Sequence, residues 1–206
     1  MIVALESAST DLSVALFDGG SGLDAADGWS SAQRQSAEML PRLLSLCERE
    51  GRRLDEASAV AVGIGPGSFT GLRVGMSLAK GLALALGIPI VGIRSLEAWL
   101  AADPEAAAAL ARAGAREAYL LLRGDDAPRI VDRGALPDRI GTARVVAAGE
   151  LADAFELAGA VAPYGAARSV ARLAAERLVA DPAGDDLTRL EPAYLRAPRG
   201  VALGER

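Results

Sequence analysis

The chain has 206 residues, of which 51% are apolar and 24% charged, and its formal net charge is −5. This composition is typical of a folded soluble protein, and the acidic balance argues against a protein that holds nucleic acid through its own basic surface. The sequence contains no histidine and a single cysteine, Cys47. Histidine-based catalytic triads, histidine or cysteine zinc sites and an internal disulfide are therefore excluded, and we expect a reducing, cytoplasmic location.

The first residues predict a β-hairpin. Residues 2–5 and 12–17 form two short apolar runs joined by a polar turn, and a weaker third strand follows around 22–28. The N-terminus lacks a basic segment, so we expect no signal peptide, and the longest weakly polar stretch, 82–93, is too short to predict a membrane span. A helix is predicted over about 32–50, and Pro41 is expected to kink or interrupt it.

The most constrained stretch is residues 65–75, which read G-P-G-S-F-T-G-L-R-V-G. A buried strand is predicted before it, over 59–64, and a helix after it, over 72–86. A tight Gly-rich turn at a helix N-terminus can offer backbone N–H groups to an anion, or it can let two backbones approach closely. The spacing fits neither a Walker A nor a Rossmann motif. Ser68 and Thr70 are candidate caps of the helix.

Small residues recur every four positions along this helix, at Gly71, Gly75, Ala79 and Ala83. Residues at this spacing share one helix face, and small side chains allow another element to come close. Two explanations stay open from periodicity alone: packing against the chain's own sheet, or an interface with a second subunit. Glycine in a helix interior costs roughly 0.5–1 kcal/mol relative to alanine, so close contact is expected there.

The middle of the chain continues the alternation. A strand is predicted over 89–93 and a helix from Ser95 to about Ala102. Asp103-Pro104-Glu105 predicts another helix start, followed by an Ala-rich helix that ends at Gly114. We place a lobe boundary here, which gives an N-terminal lobe over 1–103 and a smaller C-terminal lobe over 104–206.

The second half repeats the pattern of strands followed by helices, which predicts a duplicated α/β unit. The expected strands are 119–122, 129–132, 145–148 and 160–162, and the expected helices are 150–157 and 166–180. Residues 190–206 contain two prolines and little periodicity, and they predict an extended tail.

The segment 65–75, with the apolar strand before it and Lys80-Gly81-Leu82-Ala83 after it, closely resembles the signature of the TsaB (YeaZ) family. The resemblance extends to residues 2–10, 36–41, 87–98 and 191–196. It is dense over residues 1–100 and thin between 115 and 189. It implies an α/β fold of two tandem ribonuclease-H-like lobes, as in the actin-like ATPase (sugar kinase/Hsp70/actin) superfamily.

The resemblance also implies a non-catalytic role. TsaB-like proteins pair with the catalytic subunit TsaD, helped by the ATPase TsaE, to transfer a threonylcarbamoyl group to N6 of adenosine 37 in tRNA. We therefore expect tRNA to be contacted only through the complex, and a homodimer is a further option. The interface is expected on the helices around 32–50 and 71–87. Its candidate residues are Gly67, Ser68, Phe69, Thr70, Gly71, Arg73, Gly75, Ala79, Ala83 and Met39.

The resemblance implies a nucleotide site in vestigial form, with Glu6, Asp11 and Gly65 as its candidate residues. The chain has Glu6-Ser7 where such proteins usually have Asp-Thr, and it also departs from the family pattern at 35–37 and 121–126. Ordinary turn chemistry is the other explanation for these acids. We expect no metal site and no cofactor beyond weak ATP or ADP with Mg²⁺ at a subunit junction.

A second hypothesis belongs to a different class of protein. An actin-like-fold kinase or ATPase that acts on a small molecule could use Glu6, Asp11 and the Gly-rich turn. Nucleotide binding with turnover by the isolated chain would separate this enzyme from a scaffold.

Overall fold

The computed structural model describes residues 1–31, 34–157 and 159–195, which form two mixed β-sheets. The first half contributes β1 (Ile2–Glu6), β2 (Asp11–Asp18), β3 (Leu23–Ser30), α1 (Gln35–Arg49), β4 (Ala59–Gly63), α2 (Phe69–Leu86), β5 (Ile90–Ile93) and α3 (Ser95–Ala102). The second half contributes β6 (Ala108–Arg112), β7 (Glu117–Leu122), β8 (Arg129–Asp132), α4 (Leu136–Ile140), β9 (Val145–Ala147), α5 (Gly149–Phe155) and α6 (Ala166–Ala180).

The two sheets share one arrangement. Sheet A has the strand order β3-β2-β1-β4-β5 and sheet B the order β8-β7-β6-β9. In sheet A, β1 is antiparallel to β2 and parallel to β4, and in sheet B, β6 is antiparallel to β7 and parallel to β9. This repetition is the duplicated α/β unit that the sequence predicts.

Sheet A is covered on both sides. On one side, α1 and α2 pack against a core of large side chains that includes Leu5, Leu16, Leu43 and Val62. On the other side lies α6, whose alanines pack against small side chains of the sheet such as Ala61. Strands β1, β4 and β5 are therefore buried on both faces, which explains why they read as continuous apolar runs.

Each half lends one helix to the other half's sheet. Helix α6 belongs to the second half but packs on sheet A. Helix α3 belongs to the first half, and its Leu96 and Trp99 pack with Ala109 and Leu121 of sheet B. The predicted boundary at residue 103 falls between α3 and β6. It separates the two halves in sequence, but α3 and α6 each pack across it.

The predicted helix over 103–114 is wrong, because residues 108–112 form strand β6. This strand lies in the centre of sheet B, between β7 and β9, and Ala108 to Ala111 are completely buried. The hydrogen bonds of two neighbouring strands outweigh the intrinsic helix preference of alanine. The predicted strand over 160–162 is reduced to one bridge, between Val146 and Val161.

The helices of the first half end close to their predicted limits. Helix α1 continues through Pro41 without interruption, and the predicted residues 32 and 33 lie outside the described part. Helix α2 ends at Gly87, which adopts the left-handed conformation (φ 66°). By length and composition alone α2 could also cross a membrane, a property that it shares with core helices of folded domains. Of the predicted extended tail, 196–206 fall outside the described residues.

Candidate functional site

The Gly-rich turn packs tightly against the loop between β1 and β2. The amide of Ser68 donates to the carbonyl of Ala8 at 2.6 Å, and the Ser7 hydroxyl donates to the carbonyl of Gly71 at 2.9 Å. A Cβ atom at Gly67 would collide with the Ala8 carbonyl, and one at Gly71 with the Ser7 carbonyl. Of the two uses open to such a turn, the structure therefore shows close approach of two backbones.

The small-residue side of α2 faces the chain's own core. Gly71 and Gly75 lie against Ser7, while Ala79 and Ala83 are 0% and 2% exposed. The prediction that these four residues contact a second subunit is therefore wrong. Their small side chains bring α2 close to the β1–β2 loop and sheet A.

Three other predicted interface residues also have local roles. Met39 lies on the inner side of α1 and is fully buried in the core, so its assignment to the interface is wrong as well. The Ser68 hydroxyl caps α2 by accepting from the Gly71 amide at 3.2 Å. Gly67 belongs to the tight contact with Ala8 described above.

The remaining predicted interface residues, Phe69, Thr70 and Arg73, are exposed at the start of α2. The Arg73 guanidinium lies over the Phe69 ring, 4.0 Å from its centroid. On its other flank, Phe69 contacts the ring of Tyr194 with a centroid separation of 5.5 Å. Arg73 thus stacks on an aromatic ring, an arrangement that stabilises a cation at a helix N-terminus despite the helix dipole.

Apolar side chains lie on the outer sides of α1 and α2. We call this group of residues the α1–α2 face, and it comprises Leu40, Leu44, Val74, Leu78 and Leu84. Leu44 is 47% exposed and Leu84 is 73% exposed, while the other three are half-buried. Between the two helices, next to Phe69 and Arg73, lies a groove of about 640 Å³.

Glu6, at the end of β1, points into the protein. Its Oε1 accepts from the Ala8 amide at 2.7 Å and from the Ser95 hydroxyl at 3.2 Å. Its Oε2 lies against Gly63 and has no hydrogen-bond partner among the described residues. Because the carboxyl group is completely buried, its pKa is raised to about 7.

Asp11 links the two sheets. Its Oδ2 accepts from the amide of Gly149, the first residue of α5, at 2.7 Å, and its side chain is 2% exposed. It also lies beside Tyr164, whose phenol pKa is raised by burial and by the negative charge of Asp11. The third residue of the predicted nucleotide site, Gly65, donates its amide to the Ser95 hydroxyl at 3.0 Å.

These contacts do not fit a nucleotide site with Mg²⁺. The Glu6 carboxyl group is enclosed by Gly63, Ala8 and Ser95, and Asp11 already binds a backbone amide. Within residues 1–31, 34–157 and 159–195, no three acidic or cysteine side chains are grouped so as to hold a metal ion. Both acids instead support the local fold, as their turn chemistry allows.

A protein-family model described as "TsaD: tRNA N6-adenosine threonylcarbamoyltransferase" matches residues 30–172, more than half of the chain. The chain belongs to this family. Among curated relatives, TsaB of Escherichia coli (strain K12), a tRNA threonylcarbamoyladenosine biosynthesis protein, is 35% identical over 101 residues. A tRNA N6-adenosine threonylcarbamoyltransferase of Solidesulfovibrio magneticus is 34% identical over 116 residues.

The sequence matches cover only part of each chain, whereas the structural match covers nearly all of both chains. The match to TsaB covers 46% of this chain and 40% of the relative, and the match to the transferase covers 50% and 31%. The chain thus spans less than half the length of these relatives. YeaZ from Pseudomonas aeruginosa superposes with a TM-score of 0.68 at 24% identity, covering 94% of this chain and 99% of that one.

The comparisons confirm two predictions made from the sequence. The resemblance to the TsaB (YeaZ) family is confirmed by the TsaB relatives. The predicted fold of two tandem ribonuclease-H-like lobes is confirmed by the family model and by the YeaZ structure.

Sequence reasoning missed the exposed leucines and the stacking partner of Phe69. Leu44 and Leu84 lie on the exposed sides of their helices. Helical periodicity would have identified both as apolar residues among polar ones. Tyr194 lies 125 positions after Phe69, and no local pattern links the two. The same holds for Asp11 and Gly149.

Proposed function

We propose that the chain is a non-catalytic scaffold and activator that pairs with a TsaD-like catalytic subunit for N6-threonylcarbamoylation of adenosine 37 in tRNA. The family model and the E. coli relative, named as a tRNA threonylcarbamoyladenosine biosynthesis protein, supply the reaction. The observation that carries the pairing is the α1–α2 face.

The α1–α2 face has the properties of a protein-binding surface. Leu84 is 73% exposed and Leu44 is 47% exposed, so large apolar side chains of this face lie in water, and exposed apolar surface of this kind is typical of an interaction site. Burial of one such side chain contributes roughly 1.5–3 kcal/mol. Phe69 and Arg73 lie at the N-terminal end of the same helix pair, and aromatic and arginine side chains are common anchors of interfaces.

The remaining chemistry is assigned to the partners. The sequence has no histidine, and both acids of the predicted nucleotide site are engaged in the fold. Transfer of the threonylcarbamoyl group is thus left to the TsaD-like subunit, and nucleotide hydrolysis to a TsaE-like ATPase. The net charge of −5 supports a tRNA contact that is made by the complex, and the single cysteine fits a location in the reducing cytoplasm.

The pairing is tested by Leu84→Glu, with Val179→Glu as the matched control. Both side chains are highly exposed, at 73% and 86%, so both variants should fold, but Val179 lies on α6, away from the α1–α2 face. We expect Leu84→Glu to weaken binding to the TsaD-like subunit by about tenfold or more, since a charge is buried on association. Affinity is measured by calorimetry with purified subunits.

Equal affinities of the wild type and the Leu84→Glu variant would refute this interface. Binding of a second copy through the same face is detected by the mass of the isolated chain in light scattering. Calorimetry with ATP and Mg²⁺ addresses the enzyme hypothesis: we expect no tight binding and no turnover by the isolated chain.

A further inference from the structure

Sheet B is covered less completely than sheet A. In sheet A, the helices that follow β3 and β4 are α1 and α2, with 15 and 18 residues. In sheet B, the helices that follow the corresponding strands β8 and β9 are α4 and α5, with 5 and 7 residues. A cavity of about 1200 Å³ remains beside these two short helices.

The walls of this cavity are mainly apolar. Leu136 and Ile140 contribute from α4, Phe155 from the end of α5, and Val145 from β9. Leu136 and Val145 are 1% and 2% exposed, so the floor consists of core side chains. A lining of this composition can bind a small molecule by burying its apolar surface.

Two arginines stand at the cavity, and they differ in their partners. Arg133 binds the exposed Glu156 with an N–O distance of 2.9 Å and lies 5.7 Å from the centroid of the Phe155 ring. Arg116 also lines the cavity. No carboxylate of the described residues is within ion-pair distance of the Arg116 guanidinium. One positive charge beside the apolar wall is thus left unneutralised, in a chain whose net charge is −5.

We propose that this cavity binds an amphipathic organic anion: a small molecule with an apolar aliphatic or aromatic body and one carboxylate or sulfonate group. The body packs against Leu136, Ile140 and Phe155, and the anionic group pairs with Arg116. A guanidinium presents parallel N–H donors that match the two oxygens of such a group. Contact with the apolar wall supplies most of the affinity, and the Arg116 guanidinium selects ligands that carry a negative charge.

The probe for this site is 1-anilinonaphthalene-8-sulfonate, whose aromatic body carries one sulfonate. We expect saturable fluorescence enhancement by the folded chain with a stoichiometry of one. Arg116→Gln should weaken binding roughly fivefold or more, since a charge-assisted pair is lost. Arg189→Gln is the matched control, because the Arg189 side chain is 87% exposed and lies outside the cavity lining. An uncharged analogue, N-phenyl-1-naphthylamine, should not distinguish Arg116→Gln from the wild type.

A second pair of variants locates the probe. Ile140→Glu introduces a negative charge at a half-buried position of the cavity wall and should abolish binding of the anionic probe. Leu84→Glu changes the α1–α2 face and should leave binding unchanged, so this test is independent of the proposed pairing. Displacement of the probe by dodecanoate would extend the site to carboxylates. Absence of saturable binding, equal affinities of wild type and Arg116→Gln, or loss of binding in Leu84→Glu would each overturn the proposal.

Discussion

Sheets A and B have the same strand order around β1 and β6, yet they are covered differently. Their inner strands have similar compositions, since β4 of sheet A and β6 of sheet B both carry mainly small aliphatic side chains. Two long helices cover sheet A and two short ones cover the matching side of sheet B. The comparison teaches that strand order fixes the architecture, whereas the length of the covering helices decides which surface each half presents.

The glycines of the chain differ in how closely another backbone segment approaches them. A Cβ atom at Gly67 or Gly71 would meet a backbone carbonyl, whereas a Cβ atom at Gly124 or Gly141 would meet nothing within 4 Å. Substitutions at the close contacts should therefore have the larger effects.

The largest effect is expected for Gly71→Ala. The new methyl group would collide with the Ser7 carbonyl, and relief requires a shift of α2 against the β1–β2 loop. We expect the free energy of unfolding to fall by about 3 kcal/mol or more. Gly81→Ala on the same helix is the control, because nothing lies within 4 Å of its new methyl group.

The control variant should change stability in the opposite direction. Alanine is the better helix former at an exposed position, so Gly81→Ala should raise the free energy of unfolding by roughly 0.5–1 kcal/mol. Urea denaturation measures both values. If the two variants had the same effect, the close contact of α2 with the loop would be wrong.

The second effect concerns pH and Glu6. Because its pKa is raised from 4.5 to about 7 in the folded chain, the folded state binds the proton more tightly than the unfolded state does. This contribution to stability is complete below about pH 4.5 and is lost as the pH rises to about 7. It amounts to about 3 kcal/mol.

Glu6→Gln should remove this pH dependence, since the amide stays neutral. Urea midpoints of the variant should then vary less between about pH 5 and about pH 8 than those of the wild type. Glu176→Gln, at an exposed position on α6, should retain the wild-type dependence. A wild type whose stability does not fall over this range would contradict a buried, uncharged Glu6.

The third effect tests the link between the sheets. Asp11→Ala leaves the amide of Gly149 without its acceptor and should lower the free energy of unfolding by about 2 kcal/mol. Hydrogen exchange at Gly149 should accelerate. Asp18→Ala removes a similar bond, from the Gly20 amide at 3.0 Å in an exposed turn, and should cost only a few tenths of a kcal/mol. Similar losses in both variants would show that Asp11 does not join the halves.

Sequence patterns predicted most of the elements because their signals are local. Helix α6 has the predicted limits, 166–180, and α2 begins next to the predicted cap Ser68. Strand β6 was predicted as a helix because its alanines favour helices in isolation, and only the neighbouring strands make residues 108–112 extended.

The candidate site was predicted less well than the fold. The spacing of Gly71 and Gly75 reports close packing, but it does not say what packs there, and the structure shows Ser7. The role of Asp11 depends on Gly149, which is 138 positions away. Contacts at such separations follow from the tertiary arrangement and leave no periodic signal in the sequence.

The reciprocal placement of α3 and α6 makes the two halves mutually dependent. Severing the polypeptide at the turn before β6 would leave each fragment with an uncovered side, because the helix that shields it would belong to the other fragment. We therefore expect that neither half folds or unfolds independently of the other. In a molecule assembled in this way, the orientation of the outward surfaces depends on both halves together.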